Sequence, residues 1–287
     1  MPTSLPDSPH IRRLTREDLL FCADLSENRG WPREEHKWSL LLTAGTAYGI
    51  DDPSGKGLAA CCTVMSYGPE LAAIGMMLVA EQHARQGIGR RMMQHVLKEA
   101  SGTPLTLHAT PQGQLLYEGL GFTTVGRAEM VRGHFRPPAD VAWAASITRP
   151  ATAEDLPSIV RLDTEVFGPD RTHMITRLPA FADHLRVAEE NGKLTGYAAA
   201  WPNMETHVIG PLIARDTRTA QALITSLAPA TDRPFRTDID DRHQELLTWL
   251  KAHGLHSVAF NTVMTHGIDE LPGDWSRRFA PLSVAAG

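Results

Sequence analysis

Residues 74 to 91 read Ile-Gly-Met-Met-Leu-Val-Ala-Glu-Gln-His-Ala-Arg-Gln-Gly-Ile-Gly-Arg-Arg, and the fold follows from how this stretch is parsed. An apolar run from Leu71 to Ala80 is a buried strand, and the 3.6-residue period of Met92 to Ala100 is a helix. Arg85 to Arg90 therefore form a strand-to-helix turn. Gly87 and Gly89 carry no side chain, so consecutive backbone N–H groups can approach an oxygen-rich ligand, and the helix adds the positive end of its dipole. Arg85, Arg90 and Arg91 supply mobile countercharge. A plainer reading, a tight strand-helix connection without a ligand, fits a lone Gly-x-Gly equally well.

A second stretch decides between them. Leu105 to Thr110 is a strand, and Pro111-Gln-Gly-Gln-Leu-Leu-Tyr-Glu-Gly-Leu-Gly-Phe122 is a short helix ending in glycine, with an aromatic that opens the next strand. The two stretches together resemble the GCN5-related N-acetyltransferases. That family writes its pyrophosphate loop Arg/Gln-x-x-Gly-x-Gly/Ala and carries a tyrosine a few residues before Gly-Phe, as Tyr117 stands before Gly121 and Phe122. Ala84 replaces the Arg/Gln at the head of the loop, with Arg85 and Gln86 beside it. The resemblance implies acetyl-CoA as cosubstrate, with pyrophosphate at Arg85, Gln86, Gly87, Ile88, Gly89 and Arg90. It further implies pantetheine along the backbone of Leu78, Val79 and Ala80, a polar contact from Thr110, and Tyr117 as the acid that protonates the departing thiolate.

Composition sets the outer limits. A chain of 287 residues, 42% hydrophobic and 21% charged, is ordinary globular protein, long enough for two domains with two cores. A net charge of −5 favours neither nucleic acid nor an anionic membrane, and the thirteen histidines form no metal-ligand pattern, so no metal is expected. Three cysteines, two of them the adjacent Cys61 and Cys62, cannot build a disulfide framework and point to a reducing compartment. With no signal peptide and no run able to cross a bilayer, the expected location is the cytoplasm. The expected partners are a small-molecule amine and, as monomer or homodimer, at most a second copy.

Along the chain, Ile11 to Leu14 is a strand and Thr15-Arg-Glu-Asp a capped helix start running to about Ser26. A break at Glu27 to Glu35 leads to a helix from Pro32 to Thr43. Trp31 in that break reads as core at a helix junction, or, by the resemblance, as part of an acceptor wall with Glu27 and Asn28. Strands follow at Thr46 to Ile50 and Leu58 to Met65, and one at Val141 to Ile147 closes the first half. The count then restarts: Thr148-Arg-Pro-Ala-Thr-Ala-Glu-Asp-Leu echoes Ile11-Arg-Arg-Leu-Thr-Arg-Glu-Asp-Leu. The same element order recurs, with a helix from about Asp170 to Phe181. The turn Ala214-Arg-Asp-Thr-Arg-Thr-Ala contains no glycine, so this half should lack a cradle.

The expected architecture is thus an α/β mixed sheet in two tandem acyl-CoA N-acyltransferase domains. Residues 1–145 would hold acetyl-CoA, and 146–287 would be a degenerate partner closing the acceptor pocket. Asp163-x-x-x-Phe-Gly-x-x-Arg171 resembles a segment of some bacterial tandem members; its plainer reading is a helix end with a surface ion pair. Asp238, Asp240 and Asp241 read as an acidic pocket or as caps of the next helix. Glu27, Glu70, His108 or a water chain are candidate general bases, and His108 a candidate acceptor contact. Transfer from acetyl-CoA to a primary amine is the expected activity, and a silent acetyl-CoA or amine sensor of the same fold is the alternative.

Overall fold

The computed structural model describes residues 10–287; the first nine residues of the expected first domain lie outside it. The first half runs β1 (Arg12–Leu14), α1 (Leu19–Asn28), α2 (Glu35–Ala44), β2 (Thr46–Asp51), β3 (Leu58–Ser66), β4 (Ala72–Val79), α3 (Ile88–Glu99), β5 (Leu105–Ala109), α4 (Pro111–Glu118) and β6 (Thr123–Gly133). A connecting helix, α5 (Ala142–Ile147), leads to β7 (Thr148–Pro150). The second half continues with α6 (Leu156–Phe167), α7 (Thr172–Ile175), α8 (Leu178–Phe181), β8 (His184–Glu190), β9 (Lys193–Asn203) and β10 (Thr206–Ala214). Then come α9 (Thr217–Leu227), β11 (Phe235–Asp240), α10 (Gln244–Ala252), β12 (His256–His266) and β13 (Arg278–Ala280).

The sequence echo is a repeated hydrogen-bond device. Thr15 and Thr152 each head a capping box, with their N–H groups donating to Asp18 Oδ2 at 2.8 Å and Asp155 Oδ2 at 2.7 Å. The same two carboxylates pair with Arg12 and Arg149, each at 2.7 Å. One arginine therefore ties the first strand of each half to its first helical turn.

The halves do not make separate sheets. Strand order is β1-β2-β3-β4-β5-β12-β6-β11-β10-β9-β8-β7, with β13 against β10. Each half lends its last long strand to the other: β12 lies between β5 and β6, and β6 between β12 and β11. An expected boundary at 145/146 falls inside α5. In place of two cores there are, among the described residues, three clusters of buried side chains. One packs α3 and α4 of the first half through Met92, Val96, Leu107 and Tyr117. A second packs α9 and α10 through Leu223, Ile224, Leu246 and Leu250. The third lies on the opposite face of the sheet and is shared, joining Trp38 and Leu41 to Phe167, Tyr197 and Leu282. Trp38 is fully buried there, its indole N–H on Ser26 Oγ at 3.0 Å, satisfying its one polar atom.

Three local expectations are corrected. Val141 to Ile147 is not a strand but the helix α5, because the Ala-Trp-Ala-Ala run favours helix and Asp140 Oδ1 accepts from Ala142 N at 3.0 Å. Asp170 to Phe181 is two short helices, α8 starting afresh with Pro179 in its first turn. The second helix starts at Glu35 instead of Pro32.

Candidate active site

β4 and β5 are parallel neighbours over only three residue pairs, Ala72–Leu105 to Ile74–Leu107. Both strands continue, to Val79 and Ala109, but they separate. The cause lies in β4: Met76 has φ +48° and the register against β3 slips between Cys61 and Thr63, the signature of a bulge that bends a strand away from its neighbour. The stretch of β4 from Gly75 to Val79 thus offers an unpaired edge toward β5. Leu78, Val79 and Ala80 lie along it or at its end, and Ala80 N is bound on the other side to Ala59 O at 2.8 Å. A free strand edge of this kind takes an amide-containing chain as an added strand.

Beyond that edge the chain turns into α3. Gly87 is its N-cap, with φ +78° and open space where a Cβ would stand. The first helical bond is donated by Arg91 N to Gly87 O at 3.1 Å, and among the described residues the N–H groups of Arg85 to Arg90 have no backbone acceptor. Six consecutive free donors on the positive end of a twelve-residue helix fit a pyrophosphate. Arg85 and Arg90 are exposed, and Arg90 Nη1 also reaches Gly119 O at 3.3 Å. Gly89 has a different reason to be glycine: a Cβ would meet Leu116 Cδ2 at 3.3 Å and Val79 Cγ2 at 3.7 Å, so it permits α3 to sit close to α4 and β4.

Thr110 caps α4, its Oγ1 accepting from Gly113 N at 3.3 Å, while the hydroxyl proton stays free to donate. Tyr117 lies about two turns further on and packs edge-on to Phe122 with centroids 6.0 Å apart. It is buried, its hydroxyl donates to no acceptor among the described residues, and burial raises its pKa above the usual phenol value, with Cys62 adding to the shift. The phenol is therefore protonated at neutral pH and available as a donor.

The expected acceptor residues are scattered. Glu27 is exposed and pairs with Arg33 at 3.2 Å. Trp31 is 37% exposed, so the core reading fails. The loop nevertheless reaches β4's end through Asn28 Oδ1, which accepts from Glu81 N at 2.8 Å. Glu70 is exposed. His108 faces the shared core, hydrogen-bonded to the Val284 backbone, and burial with the nearby Arg278 charge pushes its pKa down to about 4.

What covers β4 on that face has no signature in the sequence. Asp163 and Arg171 are not a surface pair: both are buried, joined by two hydrogen bonds of 2.7 and 2.8 Å, with the Tyr197 hydroxyl also on Asp163. Arg171 and Arg278 both lie over Phe167, at 3.9 and 4.2 Å from its centroid. Residues 281–287 pass between the halves here, with Leu282, Ser283, Ala285 and Ala286 all buried. No motif marks this segment, since Ser-Val-Ala-Ala-Gly reads like any small-residue loop and its partners lie far away in sequence.

The equivalent positions of the second half are differently filled. β10 and β11 also pair briefly and part, but β13 lies against β10 there, Leu212 opposite Ala280 and Ile213 opposite Arg278. The N-cap of α9 is Asp216, whose carboxylate accepts from Thr219 N at 2.8 Å, where α3 has Gly87. Asp238 is buried among Arg236, Lys37 and Glu34, burial raising its pKa, and Asp240 accepts from Arg242 N at 2.9 Å. Asp238 and Asp240 are therefore each held by different cationic partners, Arg236 with Lys37 and Arg242, instead of opening onto one acidic pocket. Among the described residues no group of side chains is arranged to hold a metal, and no helix is long and apolar enough to cross a membrane.

Two family profiles, each described as an acetyltransferase (GNAT) domain, match residues 62–136 and 159–280. The chain is 30% identical to the uncharacterised N-acetyltransferase YitH of Bacillus subtilis strain 168, over 85% of this chain and 86% of that one. A Pyrococcus horikoshii crystal structure provisionally assigned as an acetyltransferase superposes with a TM-score of 0.81 at 19% identity, covering 100% of this chain and 99% of that one. A tandem GNAT protein from the clavulanic acid biosynthesis pathway superposes at 0.66 with 14% identity, covering 92% and 100%.

Proposed function

The chain belongs to the GCN5-related N-acetyltransferase family as a tandem protein, and on that premise we propose that it moves the acetyl group of acetyl-CoA to a primary amine of a small molecule by direct attack. The observation that carries this is the row of unaccepted N–H groups from Arg85 to Arg90 beside the unpaired edge of β4. Among the described residues only the first half has it. In the second half β13 takes the place beside β10 and a carboxylate caps α9, which supports one cosubstrate site per chain, with the second half a partner on the acceptor side.

Within that reading Arg85 to Arg90 hold the pyrophosphate and the edge of Leu78 to Ala80 aligns the pantetheine. This fixes the thioester carbonyl near the bulge at Met76. The neutral amine nitrogen forms a bond to the carbonyl carbon, the carbon–sulfur bond breaks, and the thiolate takes the proton of the Tyr117 hydroxyl. The amine's excess proton leaves to solvent, through which Tyr117 is reprotonated. Tyr117 suits its step because burial favours its neutral form and no described acceptor competes for its proton. A thiol-release assay with acetyl-CoA across a panel of primary amines tests the proposal. Thiol and N-acetyl product should appear one for one, and a protein that binds acetyl-CoA but releases no thiol with any amine would contradict it.

A further inference from the structure

We infer that residues 283–287 occupy the acceptor subsite as an internal stand-in, and that the amine which displaces them carries a carboxylate received by Arg171 and Arg278. The inference rests on the transferase reading above and adds a ligand class to it. β4 alternates between two faces: Ile74 points to the α3/α4 core and Ala73 to the shared core. The bulge then places Gly75 and Met76 both toward the shared core. A Cβ on Gly75 would lie 2.3 Å from Ala285 O and 2.6 Å from Ala285 Cα, so glycine is what lets this segment touch the strand at the bulge. The other face is closed by packed side chains, including Ile88, Met92 and Tyr117. An amine therefore reaches the bulge from the side that 283–287 covers.

The subsite holds its occupant through oxygens. Side-chain donors from both halves meet main-chain oxygens of the segment and of the residue before it: Trp201 Nε1 on Leu282 O at 3.2 Å, the Tyr67 hydroxyl on Ala286 O, and Arg171 Nη1 on Gly287 O at 3.2 Å. His108 bonds the Val284 backbone between them. One donor is left over. Asp163 answers Arg171, but among the described residues Arg278 makes no side-chain hydrogen bond or ion pair, and its Nη1 is buried without a partner. The nearest alternative, Asp240, has both oxygens engaged by Arg242. Arg171 already has Asp163, whereas the buried Arg278 Nη1 beside it has no acceptor, so an occupant that brings a carboxylate to this ring supplies the charge-assisted bond that Arg278 lacks.

Two variants of the full chain test this. A Cβ on Gly287 would lie 3.4 Å from Ala73 Cβ, close to disulfide geometry, so Ala73→Cys with Gly287→Cys should lock the segment when oxidised. The oxidised form is expected to keep its acetyl-CoA affinity and lose at least ~10-fold in transfer, with recovery on reduction. Wild-type transfer with the cross-link confirmed by mass overturns the stand-in. Independently, kcat/KM is compared for ornithine against putrescine and phenylalanine against phenethylamine. The carboxylated member should win by at least ~10-fold, and Arg278→Gln should shrink that ratio toward one without moving acetyl-CoA affinity. Equal kcat/KM within each pair in the wild type overturns the carboxylate assignment. Transfer to no amine at all, with acetyl-CoA bound, overturns the transferase reading and this inference with it.

Discussion

Gly87→Asp should strip acetyl-CoA affinity from the chain while leaving the fold in place. The position is the N-cap of α3, with φ +78° and nothing within 4 Å of where a Cβ would stand, so no packing is disturbed. Aspartate tolerates the left-handed region better than most residues, and the backbone cost is ~1 kcal/mol. A carboxylate at a helix N-terminus returns ~0.3–1 kcal/mol of that. Against a phosphate charge ~5 Å away the new carboxylate is repelled by ~1 kcal/mol in a water-like medium and by ~3 kcal/mol at an effective dielectric of ~20. Affinity should therefore fall by roughly 10- to 100-fold, more at low salt than at high. The second half already carries this arrangement, with Asp216 capping α9. Gly87→Asn is the control, since it has the same shape without the charge. Titration calorimetry of both variants isolates the electrostatic part, and thermal melting checks the fold. Equal acetyl-CoA affinity in the aspartate and asparagine variants would refute the reasoning, because the loop would then not face a phosphate.

Tyr117→Phe should lower turnover by ~100-fold or more while sparing acetyl-CoA affinity, because the ring that packs on Phe122 remains and only the proton donor is lost. Steady-state rates with a direct binding measurement check it, and an unchanged turnover would remove Tyr117 from the chemistry. Asp163→Asn should cost ~3–5 kcal/mol in urea unfolding, since it strands the buried Arg171; a loss under ~1 kcal/mol would mean the pair behaves as a surface one. The His108 pKa of about 4 predicts that stability is lost as pH falls from 6.5 toward 4, where the unfolded imidazole takes a proton that the folded one refuses, by up to ~3 kcal/mol. Asp238 and Asp240, raised by burial, act in the opposite sense as pH falls, so the test is the difference between wild type and His108→Gln. Identical pH slopes in the two would show that His108 is not the group responsible.

The cradle is legible in the sequence because its cause is local. Gly87 sits between a strand and a helix whose periods are plain, and the donors it exposes belong to the same few residues. The Thr15 and Thr152 capping boxes are legible for the same reason. Gly89 is half legible: its place in the loop suggests ligand contact, but the close packing against Leu116 that also favours a small residue comes from an element 27 residues on. The exchange of β6 and β12 has no signature, since a strand reads the same whichever neighbour it pairs with. Trp31 misleads because aromatic area is usually buried, and the Asp163–Arg171 pair misleads because such pairs are usually not. The segment after β13 is invisible: small residues become a structured wall only through donors such as Tyr67, 219 residues distant.

The number of acetyl-CoA molecules that one chain holds decides most directly whether the cradle of the first half is the cosubstrate site. Calorimetric titration of the full chain, with protein concentration fixed by amino-acid analysis, should give one site per chain, abolished or strongly weakened by Gly87→Asp and unaffected by Asp216→Gly. Two sites per chain, or one site that persists in Gly87→Asp and disappears when the second half is altered, would contradict it.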